Sequence, residues 1–259
     1  MRSADCATRL TRQINRLAIS PNKKYLAAAG SQSIKLYDIA VAGLGPSGQN
    51  PGHGVVRRRS RCIADGQVAS FEGHTANVTC LAWHCDGKWI VSGSEDGSIR
   101  IWDTRAATVQ RNFDSKSPVN DVVIHPNQGE LVSCDQAGSI KVWDLTANNC
   151  THELLPEEDT PMRSVSVAQD GSCLVGGNNA GRVYIWSIRN GSDFTDLQPK
   201  TKFDAHDKYL IRCMLSPDGK CVRLSLKRAD QAGRWRRVRP TRRSRRGPGT
   251  ATRAGTTRP

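Results

Sequence analysis

The chain has 259 residues, of which 37% are hydrophobic, and it carries a formal net charge of +14. No apolar run is long enough to span a bilayer and no secretory h-region is evident, so we expect a cytoplasmic protein without a membrane span. The nine cysteines show no pairing at zinc-site spacing, so we expect no metal and no other cofactor.

A pattern of strand-forming residues between turn signals recurs along the chain at intervals of about forty residues. Trp102, Trp143 and Trp186 close three copies and stand 41 and 43 residues apart, and Tyr37 takes this closing position in the first copy. This period predicts β-propeller blades of the WD40 type. In chain order, the copies occupy 14–38, 78–103, 119–144, a copy that ends at 181–186, and 205–220.

The strands within each copy alternate in a way that places apolar residues on both faces. Strands of this kind are covered on both sides, as they are in stacked propeller blades. Asp86-Gly87 and Asp218-Gly219 predict hairpin turns, because glycine tolerates positive φ and aspartate caps its own turn. The fold class is therefore all-β, and each copy needs a neighbour to bury its sheet.

The positive charge is concentrated in two segments outside the repeat. Residues 221–259 contain 13 Lys and Arg and one acid, and residues 41–68 contain four Arg and one acid. The remaining residues hold 21 basic and 22 acidic side chains, so the repeats are close to neutral. We predict propeller blades at 12–40 and 69–220, a disordered insert at 41–68, and a disordered basic tail at 221–259.

One copy carries a set of polar residues that can form a buried hydrogen-bonded chain. A His, Ser and Asp could suggest a hydrolase, but no Gly-x-Ser-x-Gly elbow surrounds Ser92. A buried indole N–H, hydroxyl and carboxylate each need a partner, so we predict a structural set and no catalytic residue. By position in the WD40 pattern, its members are His74, Ser92, Asp96 and Trp102.

The other copies depart from this pattern. Ala137 and Ala180 take the position of Asp96, and Tyr37 replaces the closing tryptophan. We therefore expect these blades to depend more on apolar packing than the blade that ends at Trp102.

Several stretches, including connections between the copies, are similar to one WD40 family. The chain resembles the G-protein-β-like subunit of the target-of-rapamycin (TOR) kinase complexes, the family of "lethal with Sec thirteen" number eight. Connections are less constrained by the fold than strands, so their agreement is the more specific evidence. The similar stretches are 13–21, 25–30, 34–38, 117–120, 124–131, 153–157 and 197–202, the last standing before Ala205-His206.

The resemblance implies a seven-bladed propeller without catalysis of its own. It implies a scaffold subunit of both TOR complexes that docks on the kinase domain of TOR and supports its active-site region. Its partners would be TOR kinase and the other complex subunits, with no small-molecule substrate. Docking would use the rim of the first and last blades, and Gln13 is the residue expected near that surface. A solvated loop glutamine is the alternative reading of Gln13.

The repeat pattern accounts for about four and a half of seven blades, which predicts an incomplete propeller with exposed sheet faces. We expect such a chain neither to close a ring nor to hold TOR stably.

Two interpretations of the insert and tail remain open. The basic tail, with Trp235 between arginines, could bind RNA or direct nuclear import. Alternatively, 41–68 and 221–259 derive from a retained intron and a shifted reading frame, which would give their Arg-, Gly- and Pro-rich composition. We favour this alternative because the last copy breaks off in mid-hairpin after Lys220.

Two further classes of function compete with the scaffold. Another kind of WD40 adaptor would share the strands, but the connections quoted above argue against it. A basic nucleic-acid-binding protein would depend on the tail and show steep salt dependence. We do not expect nucleic acid to be a partner, because the repeats themselves are close to neutral.

Overall fold

The computed structural model describes residues 13–40, 66–190, 195–206, 210–217, 219–226 and 235–237. These residues form nineteen β-strands in five antiparallel sheets. Since the described ranges contain no helix, none in them is long and apolar enough to cross a membrane. The confirmed fold class is all-β with WD40-type sheets in an incomplete propeller.

Each sheet consists of consecutive strands, and neighbouring strands in a sheet are antiparallel. The first sheet contains β1 (Arg16–Ile19), β2 (Tyr25–Gly30), β3 (Ser33–Asp38) and β4 (Gln67–Glu72). The second contains β5 (Val78–Trp83), β6 (Trp89–Ser94), β7 (Ser98–Asp103) and β8 (Thr108–Asp114). The third contains β9 (Val119–Ile124), β10 (Glu130–Asp135), β11 (Ile140–Asp144) and β12 (Asn149–Leu154).

The last two sheets follow the same plan. The fourth contains β13 (Met162–Val167), β14 (Cys173–Asn178), β15 (Arg182–Asn190) and β16 (Thr195–Asp204). The fifth contains β17 (Leu210–Leu215), β18 (Cys221–Leu226) and the short β19 (Trp235–Arg237). The first strands of successive sheets pack against one another, from β1 to β5, β9, β13 and β17. These first strands are called the inner strands below.

The hydrophobic core is divided into four clusters, and each lies between two neighbouring sheets. Ile34 and Phe71 of the first sheet, for example, share a cluster with Ile90 and Trp102 of the second. Apolar residues on both faces of a strand thus contribute to two different clusters, as the sequence predicts. No sheet buries its apolar residues alone, which is the physical reason for the repeat.

The turns between the first two strands of each sheet require a left-handed backbone. Gly87 in the Asp-Gly turn has φ of 69°, a conformation that costs glycine little. The Pro-Asn turn of the third sheet instead places Gln128 at φ of 65°, and the Asn127 side chain accepts a hydrogen bond from the amide of Gly129. Both turn types hold their strands in the same antiparallel register.

Two of the predicted boundaries are wrong. The insert was expected to extend to residue 68, but β4 begins at Gln67, which pairs with Tyr37 of β3. The tail was expected to begin at 221, but Cys221–Leu226 forms β18 and pairs with β17. Val222 and Leu224 alternate into the core and are almost fully buried. The alternation of these two apolar residues is typical of a strand, but the boundary at 221 was predicted from the basic composition of the segment.

Other parts of these predictions lie outside the described residues. Residues 41–65 of the predicted insert are among them, and so are most residues of the tail after 226. Within the tail, the main chain of β19 pairs with β18, with Trp235 opposite Arg223.

Candidate functional site

The structure brings together the four polar residues that the sequence singles out. Trp102 Nε1 donates to Ser92 Oγ at 2.8 Å, and Ser92 Oγ lies 2.7 Å from His74 Nε2. His74 Nδ1 lies 2.9 Å from Asp96 Oδ2. With the imidazole proton on Nδ1, each group in the chain from indole to carboxylate has a hydrogen-bond partner. We call these four residues the tetrad.

The tetrad connects a loop to a sheet interior. His74 lies before β5, whereas Ser92 and Trp102 lie on β6 and β7 and are almost completely buried. Asp96 lies in the turn between β6 and β7 and also accepts bonds from the amide and hydroxyl of Ser98. The tetrad therefore fixes the connection between the first two sheets to the centre of the second.

Burial and hydrogen bonding shift the pKa values of both ionisable members. Burial lowers the pKa of His74 below 6.5, although the adjacent Asp96 carboxylate opposes this change. Burial alone would raise the pKa of Asp96, but hydrogen bonds from Ser98, the Thr75 amide and His74 hold it well below 3.8. The favoured state is a neutral imidazole beside a carboxylate.

We expect the free energy of unfolding to decrease on acidification in two stages. His74 has a lower pKa in the folded state, so the unfolded chain binds more protons as the pH falls below 6.5. Asp96 adds a second loss of stability below about pH 4, since its folded pKa is also depressed. Urea unfolding measured from neutral to acidic pH tests this expectation.

His74→Gln should remove the first stage, whereas His84→Gln provides a control at a more exposed histidine. Equal dependence on pH in the wild type and His74→Gln between pH 6.5 and pH 5 would contradict the assignment to His74.

The third sheet also contains a polar set, although Ala137 takes the position of Asp96 and the sequence predicts a greater dependence on apolar packing there. Asp135, two positions earlier in the same turn, replaces the missing carboxylate. Its side chain accepts bonds from the amide and hydroxyl of Ser139 at 3.0 and 2.7 Å. Lys141 Nζ donates to Asp135 Oδ2 at 3.1 Å and to the carbonyl of Ser115 at 2.6 Å. The third sheet thus has an equivalent polar set, whose carboxylate stands two positions earlier in the sequence.

The fourth sheet likewise contains a polar set, although Ala180 takes the position of Asp96. Asn178 Oδ1 accepts from the amides of Ala180 and Arg182, and Asn178 Nδ2 donates to Glu157 Oε2 at 3.0 Å. Tyr184 donates to the same carboxylate oxygen at 2.7 Å, and Arg182 forms a salt bridge with Glu157. Sequence reasoning missed both sets because it compared one aligned position and not the whole turn.

The residues predicted to close the blades differ in their hydrogen bonding. Trp143 Nε1 donates to Ser133 Oγ at 2.8 Å, which repeats the bond between Trp102 and Ser92 in the second sheet. Gly176 stands at the serine position of the fourth sheet, so Trp186 has no corresponding hydroxyl. Tyr37 is only half-buried on β3.

A second polar network, which the sequence analysis missed, joins the inner strands. Asp121 on β9 is 4% exposed and accepts from Arg16 Nη2 of the first sheet at 3.2 Å. Its other oxygen accepts from Ser164 Oγ at 2.7 Å and from the amide of Val165 at 3.3 Å, both in the fourth sheet. Burial raises the pKa of Asp121, while Arg16 and Ser164 oppose that shift. One carboxylate thus connects three sheets.

Side chains on or beside the inner strands also bond to the next sheet directly. Asn15 Nδ2 donates to the carbonyl of Val78 at 2.9 Å. Thr79 Oγ1 donates to the carbonyl of Val119 at 2.6 Å, and Asn120 Nδ2 donates to that of Met162 at 2.6 Å. These bonds recur in successive sheets, so they set the spacing between neighbours.

Gln13 lies at the entrance to the first sheet and is exposed. It lines a recess with Asn15, Asn77 and Glu95, at the same end of the inner strands as Arg163. Its backbone carbonyl lies so close to Gly30 that a Cβ there would lie 2.2 Å from the oxygen. The main chain at Gln13 is held tightly while its side chain faces solvent, a placement compatible with a contact surface.

Comparison with known proteins agrees with this geometry. The family described as "WD domain, G-beta repeat" matches residues 5–38, 66–103 and 107–144. Target of rapamycin complex subunit wat1 of Schizosaccharomyces pombe is 53% identical over 208 residues, which cover 80% of this chain and 60% of that relative. Target of rapamycin complex subunit LST8 of Saccharomyces cerevisiae is 46% identical over 208 residues, which cover 80% of this chain and 62% of that relative.

A third relative carries a different description. The non-functional target of rapamycin complex subunit LST8-2 of Arabidopsis thaliana is 42% identical over 205 residues, which cover 79% of this chain and 59% of that relative. The chain therefore spans about three-fifths of the length of the relatives that it matches.

The stacked four-stranded sheets, the tetrad and the repeat matches define a WD40-repeat protein of the β-propeller class. Within that class, the chain is similar over about 80% of its length to target of rapamycin complex subunits named wat1 and LST8. The resemblance found in the sequence is thereby confirmed.

Proposed function

We propose that this chain is a non-catalytic scaffold subunit that docks on the kinase domain of TOR and stabilises it in the cytoplasm. The observation that carries the proposal is its 53% identity, over 208 residues, to a TOR complex subunit of fission yeast. Other subunits of the TOR complexes are the further partners.

The contacts of the polar residues support a structural role. Ser92 has no exposed surface and already bonds to both Trp102 and His74. Asp96 is bonded to the loop and turn that it holds in place. A serine enclosed in this way cannot reach a substrate, so these contacts favour stabilisation of the sheet over hydrolysis.

Co-expression of the full chain with a TOR fragment that contains the kinase domain tests the proposal. If the described sheets suffice for docking, the two should elute together at equal stoichiometry in size-exclusion chromatography, and the fragment should unfold at higher temperature in the complex. That result would overturn the expectation that an incomplete propeller does not hold TOR stably. Separate elution, with the chain still showing the circular dichroism of a β protein, would contradict it. The test is necessary because a relative of 42% identity is described as non-functional.

The docking position is tested separately. Gln13→Arg should weaken the complex if the entrance to the first sheet contacts the kinase, whereas Lys24→Glu, at an exposed turn of the same sheet, should not. Unchanged affinity of Gln13→Arg would exclude this position while leaving the scaffold function intact.

A further inference from the structure

A groove lies beside β15, between the third and fourth sheets. The residue two positions before the closing tryptophan is Arg100 in the second sheet, Lys141 in the third and Tyr184 in the fourth. Lys141 and Tyr184 each line such an inter-sheet groove. The repeat therefore offers an internal comparison between equivalent grooves of different chemistry.

Most of the residues that line the groove of the third sheet carry a charged or hydroxyl group. Lys141 binds Asp135 there and also lies 3.4 Å from Glu153. Ser115 Oγ accepts a hydrogen bond from Lys141, and Ser139 Oγ donates one to Asp135. With Asp114 and Lys116, the lining holds three carboxylates and two ammonium groups, a net charge of −1 that does not favour an acidic ligand.

The groove of the fourth sheet is largely apolar and has a volume of about 420 Å³. Tyr184 and Trp186 form its floor, with ring centroids 5.7 Å apart and planes inclined by 18°. Leu155 at the rim is 53% exposed, and Pro199 on β16 is also exposed. Apolar rings and an exposed leucine around one recess can accept apolar side chains of a ligand.

The charge at this rim is positive and uncompensated. Lys200 and Lys202 line the groove and are exposed, and neither forms a salt bridge with a described residue. The nearby carboxylates of Glu157 and Asp204 are instead both bound by Arg182. A ligand that supplies carboxylates would therefore meet two free ammonium groups.

We propose that this groove binds an extended acidic segment of a partner protein, with the segment's apolar side chains on Tyr184 and Trp186 and its carboxylates at Lys200 and Lys202. Pro199 has no N–H to donate, so the outer edge of β16 is poorly suited to pairing with an added strand. Side-chain burial and charge, without strand addition, then provide the affinity. This inference goes beyond the proposed function and does not depend on it.

A fluorescein-labelled peptide of sequence Glu-Asp-Leu-Pro-Asp-Leu-Glu-Asp serves as the probe for fluorescence anisotropy with the full chain. We expect saturable binding that is weakened at least about tenfold in the double variant Lys200→Glu/Lys202→Glu. Both lysines are exposed, so this variant should keep the circular dichroism of the wild type. Leu155→Ser should also weaken binding, through loss of the apolar rim.

Matched controls separate this site from general attraction to a basic chain. The double variant Lys24→Glu/Lys88→Glu changes the same charge at exposed turns outside the groove and should bind like the wild type. Peptides with lysine in place of each acid, or serine in place of each leucine, should bind far more weakly. Absence of saturable binding, or equal loss in the two double variants, would overturn the proposal.

Discussion

Replacing Trp102 by alanine is expected to lower the free energy of unfolding by about 3–5 kcal/mol. The indole is 1% exposed and lies in the cluster shared by the first two sheets, with Phe71 at 5.8 Å in edge-to-face contact. Its removal would leave a cavity between the sheets and take away the N–H that bonds to Ser92. Chemical denaturation followed by far-ultraviolet circular dichroism measures the change.

Two further variants keep this expectation testable if Trp102→Ala does not fold. Trp102→Phe retains most of the apolar volume but loses the N–H, so a smaller loss of about 1–2 kcal/mol is expected. Trp89→Ala removes a half-buried tryptophan outside the tetrad and should cost less than Trp102→Ala. Equal losses for Trp89→Ala and Trp102→Ala would contradict a special role for the tetrad.

Replacing Asp121 by alanine is expected to cost about 3–5 kcal/mol, because a buried pair would lose one partner. Arg16 would keep its guanidinium largely buried without a carboxylate, and Ser164 and Val165 would lose an acceptor. The loss should reduce unfolding cooperativity as well as stability, since Asp121 connects three sheets. Denaturant unfolding followed by tryptophan fluorescence and by circular dichroism tests whether the transitions separate.

Asp121→Asn distinguishes the charge from the hydrogen bonds. Because burial raises the pKa of Asp121, the charged carboxylate is already costly, and an isosteric amide should be tolerated better than alanine. Glu153→Ala is the control, as that side chain is 58% exposed and its salt bridge should contribute less than about 1 kcal/mol. A cost for Asp121→Ala no greater than that of the control would refute the network.

Most of the fold could be predicted from local sequence features. The spacing of Trp102, Trp143 and Trp186 gives the period, and alternating apolar residues give strands covered on both faces. The two wrong boundaries, at residues 68 and 221, were predicted from amino-acid composition and not from the alternation of apolar residues. Cys221–Leu226 lies at the edge of a basic segment, yet it buries Val222 and Leu224 as a strand should.

The tetrad residues could be named from the sequence because each occupies a fixed place in the repeat. The equivalent polar sets of the third and fourth sheets could not be named in this way. Asp135 and Asn178 stand two positions before the expected residue, where the turn still directs them to the same backbone amides. A comparison of one aligned position misses such shifts. The backbone amides of the turn need a hydrogen-bond acceptor, and a side chain at more than one position can provide it.

The sequence by itself determined the repeat, most of the strands, the resemblance to one WD40 family and the members of the tetrad, since these follow from the order of residues within about forty positions. Only the tertiary structure decided which distant residues meet. Arg16 and Asp121 are 105 residues apart, and nothing local marks them as partners. The groove of Tyr184 and Lys200 likewise exists only because the third and fourth sheets stack. Stacking determines these contacts, whereas local sequence determines the sheets that stack.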